Sequence, residues 1–218
     1  MPRLLFEKTG NAVWISHLDL MRLFQRAFKR AQLPLWHTQG FNPRPSISIL
    51  LPLSVGVQSH CEMLDFDMDG VEVSCDEICD RLNAVLVDGI RVLQVYEQGR
   101  KGKELKYLDC VVELAYDAGV PVGAAAQIEE LFRRDALILE KKSKNGVTQQ
   151  DIIPMIRSLC VAKEKDSLMI RARICCQDPA LNPMQLPAAV QMYLPELAPD
   201  AVICCRLEAY DRDQQVFR

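Results

Sequence analysis

Ser16-His17-Leu18-Asp19-Leu20-Met21-Arg22-Leu23-Phe24-Gln25-Arg26-Ala27-Phe28-Lys29-Arg30-Ala31, with Pro34 just beyond, is the stretch on which the fold reading turns. Leu18, Met21, Phe24, Phe28 and Ala31 recur at three- and four-residue spacing, the period of a helix with one apolar face. Ser16 is placed to cap that helix, with Asp19 three residues on, where a capping box puts an acid. Pro34 cannot continue it, so the spacing predicts a helix over 17–31. Upstream, Leu4–Lys8 and Ala12–Ile15 read as short strands around a Thr9-Gly10-Asn11 turn. Downstream, Ser46–Leu51 reads as a strand. Glu62–Met68 alternates Met63, Asp65 and Asp67 against Leu64, Phe66 and Met68, the mark of a half-buried strand. Val73–Leu86 reads as a second helix and Ile90–Tyr96 as a closing strand. This order, β-α-β-β-α-β, is the ferredoxin-like pattern.

Gln98–Lys106 is charged and holds two glycines, so it reads as a linker. The pattern then approximately repeats. Strands are expected at Leu108–Tyr116, Leu137–Lys142, Ser167–Cys176 and Ala201–Tyr210, and helices at Val122–Arg134 and Pro183–Tyr193. An extra short helix is read at Ile152–Cys160, and Lys141–Ile153 as either hairpin or loop. The expected fold is α+β, two tandem ferredoxin-like lobes over 1–97 and 107–218 joined by a linker at 98–106.

With 218 residues, 49% hydrophobic and 25% charged, the chain has the balance of an ordinary globular protein. Its net charge of −3 argues for neither nucleic acid nor membrane, but the charges are unevenly spread. Residues 1–50 carry seven Lys or Arg against two acids, and residues 60–90 carry nine acids against Arg81 alone. No signal core opens the sequence, and the longest apolar stretch, Ile47–Val57, is interrupted by Ser48, Pro52, Ser54 and Gly56. A bilayer span needs ~20 apolar residues. A soluble, cytoplasmic protein without a membrane partner is expected. The nine cysteines mostly sit in apolar runs, as buried free thiols of a reducing compartment do.

Arg22, Arg26, Lys29 and Arg30 share the helix face opposite the apolar stripe, and Arg44 stands in the loop Gln39-Gly40-Phe41-Asn42-Pro43-Arg44-Pro45, pinned by its two prolines. Such cations, with Gln39 and Asn42 beside them, suit the phosphates of RNA, and Trp14, Trp36 and Phe41 would permit base stacking. A solvated or protein-docking helix face reads equally from the same charges. The Lys/Arg-Gly-Phe motif of RNA-recognition domains is absent. His17, Asp19 and His37 supply imidazole and carboxylate for general acid–base chemistry, although capping alone also accounts for Asp19. His60, Cys61, Cys75 and Cys79 are nitrogen and sulfur ligands suited to zinc, at loose spacing. A radical SAM cluster uses CxxxCxxC; after Cys75 and Cys79 it would need a cysteine at 82, which is Leu82. The basic run Lys141-Lys142-Ser143-Lys144-Asn145-Gly146 reads as a solvated turn or a phosphate contact. No GxGxxG, Walker A, GxSxG or HExxH occurs, and no cofactor is read.

Trp14-Ile-Ser-His-Leu-Asp-Leu-Met-Arg22, continuing to Ala31, the 39–45 loop, and Leu51-Pro-Leu-Ser-Val-Gly-Val57 resemble the radical SAM-linked proteins, a bacterial family of unassigned function. Lys141–Ser158 resembles that family's second-half signature, so the likeness covers nearly the whole chain. Members of the family occur alone or fused behind radical SAM enzymes with a cobalamin-type domain, often encoded near ribosome and RNase genes. The resemblance therefore implies a radical SAM protein as partner. Two positions depart from the family: Arg44 stands where His is usual, and Ser46 where Lys is usual. Arg44 keeps a cation but cannot serve as a base. The tandem architecture is also similar to pseudouridine synthases of the TruA type and to CRISPR repeat-associated endonucleases, although Ser143-Lys144-Asn145-Gly146 lacks the synthases' aspartate.

The function these observations imply is a non-catalytic RNA-binding or substrate-presenting accessory protein of a radical SAM enzyme. The alternatives are an RNA-modifying or RNA-cleaving enzyme using His17, Asp19 or His37, and a docking module that binds only protein.

Overall fold

The computed structural model describes residues 1–70, 72–143 and 146–218, with backbone alone at 141–143. The basic run read at 141–146 therefore falls largely outside the described residues. The chain divides into two compact units, residues 1–104 with 216–218, and residues 105–215. Its architecture is mixed α+β, with four α-helices among the described residues. None of those helices is long and apolar enough to cross a membrane.

In the first unit, β1 (Arg3–Lys8), β2 (Ile47–Ile49), β3 (Gln58–Phe66) and β4 (Ile90–Tyr96) form an antiparallel sheet in the order β4-β1-β3-β2. Two helices, α1 (His17–Arg30) and α2 (Cys75–Asn83), cover one face. Ser16 Oγ accepts from the Asp19 amide at 3.2 Å, which caps the helix, and donates to the Asp19 carboxylate at 2.8 Å, a hydroxyl bond in place of the backbone bond of a capping box. The other end closes on Gln32 at φ 57, with the Leu33 amide returning to the Phe28 carbonyl at 2.9 Å, a Schellman stop.

The buried face of α1 keeps Phe24, Phe28 and Ala31 of the predicted stripe, with Met21 packed at its edge, and adds Leu20 and Ala27; only Leu18, 67% exposed, falls outside it. Leu20 and Phe24 sit one turn apart, and the pairs Phe6–Phe24 (4.8 Å) and Phe28–Phe66 (5.0 Å) set the rotation against the sheet. Each such burial contributes roughly 1.5–3 kcal/mol.

The expected strand at Ala12–Ile15 is instead a 3₁₀ turn, Gly10–Trp14. Gly10 adopts φ +53, and the Ala12 and Ile15 amides each bond a carbonyl three residues back. Lys8, 1% exposed, donates from Nζ to the carbonyls of Val13 (3.1 Å) and Ile15 (2.7 Å) and holds the turn shut. Gly89, at φ +81, lies so close to the Thr9 carbonyl that no Cβ fits there.

In the second unit, β5 (Leu105–Ala115), β8 (Ile156–Glu164), β9 (Ser167–Cys175) and β10 (Ala201–Asp211) form an antiparallel sheet in the order β10-β5-β9-β8. Against it, α3 (Ala124–Phe132) packs on β8, and α4 (Gln185–Tyr193) on β5. Two expectations change here. The strand read at Leu137–Lys142 does not join this sheet; as β6 (Ile138–Ser143) it pairs with β7 (Gly146–Asp151) in a separate hairpin. The helix read at Ile152–Cys160 is a 3₁₀ turn, Ile153–Met155, followed by β8. Pro154 suits the first turn only, and the alternating exposure of Leu159, Cys160, Val161 and Ala162 is that of an edge strand. Asp151 Oδ1 accepts from the amides of Leu137 (2.9 Å) and Ile153 (3.1 Å), locking the hairpin base.

Candidate nucleic-acid interface

The α1 cations Arg22, Arg26, Lys29 and Arg30 are all exposed, as the helical spacing requires. Two are engaged. Arg22 meets Asp19 at 3.1 Å, and Arg30 Nη2 donates to the Val85 carbonyl at 2.7 Å. Arg26 and Lys29, three apart on one face, carry no carboxylate partner among the described residues. Two of the seven cations counted in residues 1–50 are unavailable, because Arg3 and Lys8 are buried in the first unit. Sequence could not separate them from the surface set, since a strand cation faces core or solvent according to register alone.

The 36–46 loop is tied at its base. The Trp36 amide donates to the Asp67 carbonyl (2.9 Å), the Ser46 amide to the Trp36 carbonyl (2.8 Å), and Ser46 Oγ to the Asp67 carboxylate (2.9 Å). Higher up, the Thr38 amide bonds the Arg44 carbonyl (2.9 Å) while the Arg44 amide bonds Thr38 Oγ1 (3.0 Å). The tip, Gln39 to Pro43, stands out in solvent with Phe41 at 108% exposure. Gly40 at φ +132 makes the turn that presents it. An apolar ring fully in water, with Gln39, Asn42 and Arg44 near it in the loop, is a stacking surface that no ring among the described residues covers. Trp14 is also exposed and leans over Gly56.

His37 Nδ1 donates to the Leu35 carbonyl at 2.8 Å. Asp19 is fully occupied by Ser16 and Arg22, and these two hydrogen bonds hold its carboxyl below the usual range. An acid so stabilised as carboxylate is a weak base. His17 and Asp19 stand two apart on α1 and diverge. His60 is exposed and pairs with Glu7 at 3.1 Å, while its neighbour Cys61 is buried. Cys75 and Cys79 on α2 have thiols pushed up chiefly by burial, which disfavours the thiolate a metal needs. Among the described residues no three His, Cys, Asp or Glu side chains gather as a metal ion would require.

A second set of residues escaped the sequence reading. The face of the second unit's sheet opposite α3 and α4 shows Arg157, Arg171, Arg173, Tyr107 and Tyr210, with Asp109 among them. Arg173 donates from Nε and Nη2 to both Asp109 oxygens (2.7 and 2.8 Å) and lies 3.9 Å from the Tyr210 ring centre. Arg157 lies 5.2 Å from the Tyr107 ring centre. The signal was present as the alternation Arg171-x-Arg173 in an expected strand, but its neighbour β8 reads locally as a helix, so the shared face was not assembled.

Fold and surface together define a two-unit α+β protein with exposed cationic and aromatic groups. The chain belongs to the family described as uncharacterized protein conserved in bacteria (DUF2344), whose model matches residues 2–183. No curated protein matches it. Among solved structures it is similar to a chain of a Cbf5-Nop10-Gar1 complex, at 7% identity and a TM-score of 0.51, covering 95% of this chain and 48% of that one. The chain thus spans about half of that protein, and the likeness is one of fold alone. An unknown protein from Galdieria sulphuraria aligns over 94% of this chain and 96% of its own at 10% identity, with a TM-score of 0.27.

Proposed function

We propose that this protein is a non-catalytic RNA-binding component, built from two ferredoxin-like lobes, that presents RNA to a radical SAM enzyme in the bacterial cytoplasm. The observation that carries the reading is the pinned loop at 36–46, which holds Phe41 wholly in solvent, together with Arg26 and Lys29 exposed on α1 and in no ion pair among the described residues. A single-stranded segment would lay its phosphates along these cations and stack a base on Phe41. The strand order in each unit, with the last strand beside the first and the second at the far edge, supports the ferredoxin-like assignment. The enzyme partner rests on the resemblance to radical SAM-linked proteins.

The test is RNA binding by gel shift at two salt concentrations, with wild type, Phe41→Ala and the double variant Arg26→Glu/Lys29→Glu. The double variant should bind at least tenfold more weakly, and its log–log salt slope should fall by about 1.4, at 0.7 per single-strand phosphate contact. Phe41→Ala should weaken binding while leaving the slope unchanged. Unaltered affinity and slope in both variants would remove the first unit from the interface.

A further inference from the structure

The geometry points to a second RNA contact, a single-nucleotide cleft on the open sheet face of residues 105–215, in which Arg173 presents a stacking plane and Arg171 holds phosphate, with Arg157, next in the chain to the lining residue Ser158, taking the phosphate beyond it. This inference rests on the RNA reading above and adds a site that the α1 and loop residues do not include.

A cleft of about 320 Å³ lies on this face, lined by Asp109, Ser158, Cys160, Arg171, Arg173 and Leu207 among others. That volume is at the small end of the range for specific small-ligand sites, the size of one nucleotide rather than a larger cofactor. The lining comes from four adjacent strands. Asp109 on β5 stands opposite Arg173 on β9, and Arg173 opposite Ser158 on β8; Arg171 stands opposite Cys160. Register therefore delivers Asp109, Arg173, Ser158, Arg171 and Cys160 to one face, while Leu207 and Arg157 sit at register breaks in β10 and β8.

The three arginines differ in what holds them. The Arg173 guanidinium is fixed by Asp109 on one edge, by Gln214 Oε1 at 3.0 Å on another, and by the Tyr210 ring at 3.9 Å. Hydrogen bonding to Asp109 raises its proton affinity further, so it stays charged yet locally neutralised. Such a plane, immobile and already paired, is suited to stack on a base rather than to grip a phosphate. Leu207, exposed on β10, is an apolar wall of the same cleft.

Arg171 is different. Its only described carboxylate contact is Glu164 at 3.7 Å, with side chains 52% and 56% exposed. Exposed pairs of this kind are weak and screened by salt, so a phosphate can displace Glu164. Arg157 is exposed and rests on Tyr107 without a carboxylate partner among the described residues. Arg171 in the cleft and Arg157 just outside it, beside one fixed plane and one apolar wall, match the alternation of phosphate and base in a single strand. Asp109 is neutralised by Arg173, and Glu208, opposite it on β10, accepts from the Ala209 amide at 2.8 Å, so Arg171 remains the cation that meets an anion.

The cleft carries its own reporter. Cys160 is exposed and lines it. The experiment measures iodoacetamide alkylation of Cys160 by peptide mass spectrometry, with and without a short oligouridine. It is paired with gel shifts of wild type and the double variant Arg157→Ala/Arg171→Ala. Both arginines are exposed, and circular dichroism checks that the variant remains folded. Oligouridine should slow Cys160 alkylation several-fold in wild type, and the double variant should bind about tenfold more weakly with that protection lost. Wild-type RNA binding with an unprotected Cys160 and an unimpaired double variant would overturn the cleft while leaving the α1 and loop contact standing. Absence of any RNA binding by wild type at low salt would overturn both.

Discussion

Replacing Arg3 with methionine probes how the first unit is held together. The Arg3 side chain is 1% exposed, and its Nε and Nη2 donate to both Asp65 oxygens at 2.6 and 3.0 Å. Nη2 also donates to the Arg100 carbonyl at 2.7 Å. The guanidinium lies 5.1 Å from the centre of the buried Phe217 ring, which Arg100 approaches to 5.4 Å. A Cβ on Gly99 would sit 2.5 Å from the same group, so the guanidinium packs directly on the Gly99 backbone. One side chain thus joins β1, β3, the segment after β4 and the C-terminal residues. Methionine keeps the volume of the stem and withdraws every donor. Breaking a buried pair costs 3–5 kcal/mol, and Asp65, at 20% exposure, recovers part of its hydration, so the expected loss is about 3 kcal/mol. For a chain of this length that is a fall of about 6–12 °C in Tm. Urea unfolding followed by tryptophan fluorescence isolates the first unit, because Trp14 and Trp36, the two tryptophans, both lie in it. Asp65→Asn leaves a buried cation half-paired, and the double variant should cost less than the sum of the singles by about 1 kcal/mol or more. A loss for Arg3→Met within about 0.5 kcal/mol, with additive singles, would refute the role given to this pair.

Ser16→Ala removes the α1 cap and should cost about 1 kcal/mol in urea unfolding. Because the Asp19 carboxyl is held below its ordinary value of 3.8, its contribution is complete above about pH 4 and is lost as pH falls through the depressed value. Amide exchange in the first turn of α1 should therefore be flat from neutral pH to about 5 and quicken, beyond the intrinsic rate, only in stronger acid; quickening already at pH 6 would contradict this. Native thiol titration at pH 8 should label Cys160 first. Cys176 and Cys204 are pushed up to about 12 and Cys205 to about 11, chiefly by burial, and so stay protonated and slow. Rapid labelling of the Cys204-Cys205 pair would show that β10 opens readily.

Local signals were legible where one residue type has one solution. Ser16 marked the start of α1, Pro34 could only stop a helix, and the period of α2, α3 and α4 located each within a few residues. The misreadings share a cause. Ala12–Ile15 looked like a strand because nothing local announces that a buried Lys8 will bond its carbonyls. Ile152–Cys160 looked helical because apolar spacing alone does not tell a helix from an edge strand beside a 3₁₀ turn.

The sequence by itself determined the alternation of helices and strands, the cationic face of α1, and the exposed Gln39–Pro45 loop with its prolines, since each depends on neighbours within a few positions. Only the tertiary structure decided that Arg3 and Lys8 are buried, that 138–143 and 146–151 pair with each other outside the sheet, and that Arg157 meets Tyr107 and Arg173 meets Tyr210. Those facts depend on which strands pair and in what register. Shifting a strand by a single residue exchanges its core face for its solvent face, and nothing in the local chain records that choice.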